Sequence, residues 1–168
     1  MGERLRAILG SALFLVVAPG VLAGLVPWWI TRWQMTTPFA GYGAMRVIGV
    51  ICILAGLPVL LDSFARFALE GLGTPAPVAP TRRLVLRGFY RHVRNPMYIA
   101  VTLLILGQAL LFGDWRLLAV AAGFWLCCHL FVLAYEEPTL RRTYGREYQS
   151  YCSGVGRWLP RFTPWRGA

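Results

Sequence analysis

The chain predicts an all-α, polytopic membrane fold, with four transmembrane helices and a C-terminal helix lying in the membrane interface. Three observations carry that expectation. Hydrophobic residues make up 57% of the 168 and charged residues only 14%, whereas a soluble domain carries roughly a quarter charged. So little polar surface cannot cover a globule of this size, and lipid must cover part of it. Second, the apolar residues gather into four stretches long enough to cross or nearly cross a bilayer. Third, the basic residues, 17 arginines and no lysine against 7 acids, cluster on one side of the alternating spans.

The first stretch covers about residues 8–30 and ends in Pro27, Trp28 and Trp29, tryptophans suited to the headgroup layer. Its apolar run continues past Ala23 with no polar break, which favours an uncleaved span over a cleaved signal peptide. Pro19-Gly20 predicts a kink within it. The second stretch, about 47–69, carries Asp62 and Arg66, which are four apart, share a helix face and can pair; Glu70 follows one turn later. Such charges mark either a cavity or a structural pair at the membrane surface.

Residues 71–95 form a long polar break. Gly71, Gly73, Pro75, Pro77 and Pro80 predict a helix-free connection, followed by Arg82, Arg83, Arg87, Arg91 and Arg94 with no acid among them. The third span, 96–112, starts at Pro96, a favoured first helical position, and is about 25 Å long at 1.5 Å per residue. The short Gly113-Asp114 turn leads into a fourth span, 115–135, so these two form an antiparallel hairpin. Pro138 lacks a backbone donor, which predicts that this span ends at Glu136-Glu137 and a new helix begins. In that helix Leu140, Tyr144, Tyr148 and Tyr151 recur at helical spacing, as an interfacial helix with its aromatic face inward requires; Gly145 weakens it.

Four spans place the N-terminus, the 71–95 connection and the tail on one side. That side holds most of the arginines, and the positive-inside rule makes it cytoplasmic. Basic flanks of apolar spans account for the charge without a nucleic-acid partner. Cys52, Cys127, Cys128 and Cys152 show no CxxC spacing and no paired histidine, so neither a disulfide framework nor a metal site is expected. The chain reads as a single membrane domain, 1–168, in the lipid bilayer, and its compact form suits a prokaryotic inner membrane.

Two polar clusters fall at the cytoplasmic end of the hairpin: the run Gly88 to Tyr98 before and into the third span, and Glu136-Glu137 leaving the fourth. Together they offer carboxylates, guanidiniums, an amide, phenols and an imidazole beside an apolar slot, which suits a charged cofactor meeting a lipid-soluble substrate. Taken singly, each residue has a plainer use: arginines as orientation signals, tyrosines as interface anchors, His129 as a packed, hydrogen-bonded side chain.

Their order is more specific. The run Gly88 to Tyr98, the hairpin, Glu136-Glu137 with Leu140, then Tyr144-Gly145-Arg146-Glu147-Tyr148, Tyr151 and Arg157-Trp158-Leu159-Pro160 resembles the isoprenylcysteine carboxyl methyltransferase and phospholipid methyltransferase superfamily. The likeness covers about residues 84–162. One departure is that Arg94-Asn95-Pro96-Met97-Tyr98 stands where isoprenylcysteine enzymes look like Arg-His-Pro-x-Tyr. Asparagine keeps the hydrogen bonding but does not titrate near neutral pH.

The resemblance implies S-adenosylmethionine held in a cytoplasmic region formed by about 84–98 and 136–162, and a hydrophobic or lipid-like methyl acceptor. Gly88, Tyr90, Arg94, Asn95, Pro96, Tyr98, Glu136 and Glu137 would line the cofactor. Glu136 or Glu137 would favour its cationic groups, Arg94 or Asn95 its carboxylate, and the tyrosines its adenosine. Arg157 and Arg161 would complete the catalytic side by holding an anionic acceptor head group. The tail is also similar to the end of NADPH-dependent membrane sterol and steroid reductases, and a non-enzymatic membrane scaffold would use the same arginines and aromatics as anchors.

Overall fold

The computed structural model describes residues 2–38, 40–67, 69 and 84–167, with side chains from Ile8 onward. The described residues are helical with no strands. Helix α1 (Gly2–Gly20) passes through a π-helical turn, Val21–Leu25, into α2 (Val26–Thr31). Next come α3 (Gly43–Arg66), a 3-10 turn at Gly88–Arg91, α4 (Pro96–Phe112) and α5 (Trp115–Phe131). A second π turn, Val132–Glu136, joins α5 to α6 (Glu137–Gly154). Glu70, Arg82, Arg83 and the Gly/Pro-rich connection between them lie outside the described residues.

Three helical stretches are long and apolar enough to cross a membrane: Ile8–Thr31, Gly43–Arg66 and Trp115–Gly154, beside the shorter apolar Pro96–Phe112. Their outer faces expose Leu13, Val16, Val47, Leu54, Leu126 and Leu130, a density of apolar surface that water would not tolerate and lipid requires. The core lies where α3 meets α4, around Leu60, Phe64, Ala100, Val101, Leu104 and Ile105, with Ala121 of α5 against it.

Close approach sets the α3–α4 contact. A Cβ on Gly49 would stand 2.6 Å from the Gly107 carbonyl oxygen, and one on Gly107 2.7 Å from that of Gly49. Small residues let membrane helices gain dispersion contact where no hydrophobic drive separates helix from lipid.

Just after Pro19-Gly20, where the sequence predicts a kink, the helix passes through the first π turn. Gln108, a polar residue inside α4, donates to the Ala23 carbonyl of that turn at 2.7 Å. The far end of the hairpin closes on Gly113, with Asp114 accepting from the Arg116 N–H at 2.9 Å. Thr36 caps the α4 carboxyl end through Phe112 O at 2.9 Å.

Two expectations need correction. The helix of the second stretch begins at Gly43 rather than 47, because Ala44, Met45 and Arg46 continue it backward to the Tyr42 cap. Pro138 does not end the fourth helix. The π turn before it shifts bonding so that Glu137 N–H reaches Val132 O, and the missing proline donor interrupts nothing. The break falls instead at Gly145, whose φ of 53° and ψ of −121° are non-helical. Because 40 residues from Trp115 to Gly154 would extend about 60 Å, twice a bilayer core of about 30 Å, the apolar part ends at Tyr135 and the charged remainder lies beyond it.

Candidate functional site

At the charged end of the hairpin the chain folds back on itself. The tail after α6 runs along residues 91–95: Arg94 N–H donates to Gly156 O, Arg161 N–H to His92 O and Trp165 N–H to Arg91 O, each at 2.9 Å. The buried face of α6, Tyr148 and Tyr151 with Val155, supports this cap, and Leu84, Leu86, Leu140, Tyr144 and Trp165 pack against it. Tyr151 fixes the 3-10 turn by donating to Tyr90 O at 2.6 Å. The aromatic spacing of α6 therefore forms an inward face, as its sequence predicts.

Within the cap, residues from three separate elements meet at Glu137. Its carboxylate is 5% exposed and accepts from Arg157 Nε and Nη2 at 2.5 and 3.0 Å. Arg94 Nη1 lies 3.1 Å away, and Arg141, one turn along α6, 3.8 Å away. Burial alone would raise the Glu137 pKa. The Arg157 hydrogen bonds and the Arg94, Arg157 and Arg141 charges outweigh it and hold the carboxyl below its usual range, so Glu137 stays ionised. One carboxylate among three guanidiniums leaves the cluster positive.

Asn95 joins the same network. An asparagine at an N-cap normally accepts from its own helix, but this one makes no such bond and donates through Nδ2 to Arg157 O at 3.1 Å. Arg94 Nη1 also contacts Cys152 Sγ at 2.8 Å. Its Nε is buried with no hydrogen-bond partner among the described residues. An orphan charged donor beside a satisfied ion cluster is costly.

Glu136, next in sequence, has the opposite surroundings. Tyr98 of α4 donates to its Oε2 at 3.0 Å. Burial raises its pKa, the Tyr98 hydrogen bond opposes, and the Glu137 charge adds to the rise. Above it an aromatic group closes the hairpin mouth: Trp158 donates to His129 Nδ1 at 3.0 Å, His129 stacks on Trp125 at 5.1 Å, and Trp158 lies 6.5 Å from the Tyr98 ring.

The sequence-predicted residues thus fall into groups. Arg94, Asn95, Glu137 and Arg157 form one network, and Tyr98 and Glu136 a pair beside it. Pro96 is buried at the start of α4. Tyr90 is buried and meets Phe67 edge-on at 5.6 Å; burial lifts its phenol well above the ordinary value. Gly88 sits apart, where a Cβ would collide with Arg66 and Asp62, the pair expected from their spacing and found at 2.9 Å. Arg161 points elsewhere, its guanidinium donating to Gly154 O at 2.6 Å. Sequence reasoning missed Arg141, although its spacing of four from Glu137 was a readable signal. It also missed Cys152 and the Trp158–His129 bond, which only tertiary folding brings about.

The architecture is that of an integral membrane protein with a buried ionic site at one mouth of a helix hairpin. The phospholipid methyltransferase family matches residues 44–147, well over half of the chain, and the chain belongs to that family. It is thereby part of the integral membrane methyltransferase superfamily that includes isoprenylcysteine methyltransferases. The matched region contains Arg94, Asn95, Tyr98, Glu136 and Glu137 and stops before Arg157. Comparison with curated proteins and with solved structures finds no match.

Proposed function

We propose that the protein transfers a methyl group from S-adenosylmethionine to a hydrophobic or lipid-like acceptor at the cytoplasmic mouth of the α4–α5 hairpin. What supports the reading is family membership together with one observation, the buried Arg94 Nε beside the Glu137 cluster that lacks a partner among the described residues. The reading takes the chain as one membrane domain with both termini cytoplasmic, and residues 84–98 and 136–162 as its cofactor region.

The donor set fits the cofactor's charges. Arg94 would hold the carboxylate through its free Nε, a charge-assisted hydrogen bond. Glu137 and Asn95 position Arg94 and Arg157 and are spent in doing so. Glu136 would face the cationic end. Burial raises its pKa, and a neighbouring cation would favour its ionised form. When bound, S-adenosylmethionine supplies an electrophilic methyl, so the protein's part is to orient, to exclude water and to present the acceptor. Trp125, His129 and Trp158 exclude water at the membrane side, and Arg157 would meet an anionic acceptor group.

The test is methyl transfer itself. Purified protein with methyl-tritiated S-adenosylmethionine and a bacterial lipid extract should move label into the organic phase, and Glu137→Gln should abolish it. Label confined to the aqueous phase, with lipid, thiol and carboxylate acceptors all supplied and folded enzyme, would refute the reading.

A further inference from the structure

A cleft of about 1020 Å3 opens against the 88–92 turn; its lining falls partly within residues 84–98 and 136–162 but includes none of Arg94, Asn95, Tyr98, Glu136, Glu137 and Arg157. Its charged lining is Arg66, Arg87, Arg91, Arg166, Asp62 and Glu147, so guanidiniums outnumber carboxylates. Part of this wall is rigid. Asp62 is paired to Arg66 at 2.9 Å, and Gly88, at φ 57°, packs against that pair so closely that any side chain would displace it. Arg91 is anchored through Nε to Trp165 O at 2.5 Å, which leaves its terminal nitrogens to the cleft.

Arg87 and Arg166 differ. Both are exposed, and neither side chain makes a hydrogen bond or ion pair among the described residues. Of the four guanidiniums lining the cavity, those of Arg87 and Arg166 are uncommitted among the described residues, and with Arg91 they are matched to an oxyanion with several acceptor oxygens. Phe89 and Trp165 add apolar surface to the same lining. Glu147, also on the lining, limits how much negative charge can enter, which favours a single phosphate group over a polyphosphate.

We propose that this cleft binds the phosphate group of a lipid head group or of free phosphate, with Arg87, Arg91 and Arg166 as its donors. The site is separate from the Glu137 cluster, although residues 91–95 contribute to both, Arg91 and His92 to the cleft and Arg94 and Asn95 to the cluster.

The experiment is native mass spectrometry of the detergent-purified full chain with phosphatidylglycerol, phosphatidylcholine and inorganic phosphate, comparing wild type with Arg87→Gln/Arg166→Gln. Neither substituted side chain holds the fold, so the double variant should fold normally. The wild type should retain phosphatidylglycerol, and the variant should retain about tenfold less or lower still, as the loss of charge-assisted bonds predicts. Displacement of the lipid by inorganic phosphate would support a site for the phosphate group alone; retention in its presence would support the lipid as the source. Equal retention by both proteins would overturn the proposal and reduce these arginines to orientation signals. Displacement by S-adenosylhomocysteine would overturn it too, because the cleft would then be the cofactor's. None of these readouts depends on methyl transfer, so the failure of either reading is visible without the other.

Discussion

Midway along α4 two helices touch backbone to backbone at Gly49 and Gly107, while at the start of the same helix Arg94 and Asn95 enter a network of charges around Glu137. The seam depends on the absence of atoms. The cap depends on the exact partners of a buried carboxylate. Lipid surrounds the first and rewards close packing; the second bears the cost of desolvating ions and is offset only while every partner is in place. The seam therefore specifies the fold, and the cap is where we place the function.

The largest expected effect breaks the cap. Glu137→Ala leaves Arg94 and Arg157 facing each other unpaired, and should cost about 3–5 kcal/mol in thermal unfolding in detergent while abolishing cofactor binding. Next comes the seam. Gly107→Leu overpacks against the Gly49 carbonyl and should cost about 1–3 kcal/mol, yet the fraction that remains folded should bind S-adenosylhomocysteine like wild type. A variant that folds but does not bind would show that seam and cap are not separable.

Smaller effects separate residues within the cap. Arg157→Lys keeps the charge but loses the two-pronged contact with Glu137, and should weaken cofactor affinity about tenfold with little change in helicity by circular dichroism. Glu136→Gln should be the mildest. The folded-state pKa of Glu136 is raised, so its contribution to stability is present below the ordinary glutamate range and declines as pH rises through the folded value. Removing that titration should raise the melting temperature near pH ~8 and leave it unchanged near pH ~4. Glu137 has the opposite sign: its depressed pKa contributes stability above the ordinary range that is lost as pH falls. Glu136→Gln should also weaken S-adenosylmethionine, a sulfonium, more than the neutral thioether product, measured by parallel titrations.

The same contrast explains what was legible beforehand. The apolar stretches read from the sequence fall on helices, Gly43–Arg66, Pro96–Phe112 and Trp115–Phe131 among them, because lipid-facing helices announce themselves by composition alone. Pro138 misled because a π turn can absorb a missing donor, a compensation with no local signature, and the true break falls at Gly145, which the sequence marked only as a weak point in the helix. In the site, Arg94, Asn95, Glu137 and Arg157 were named from motif order and do meet. Arg161 was named on the same grounds and turns to a backbone carbonyl. Charge type could be read from the chain; which guanidinium reaches which carboxylate is decided by the tail's path over residues 91–95.

Calorimetric titration of the detergent-purified protein with S-adenosylhomocysteine, alongside NADPH, tests the central claim most directly. The account predicts micromolar binding of the homocysteine compound to wild type, no binding to a helical Glu137→Gln variant, and no response to NADPH. Binding of NADPH alone, or of the homocysteine compound equally well to Glu137→Gln, would contradict it.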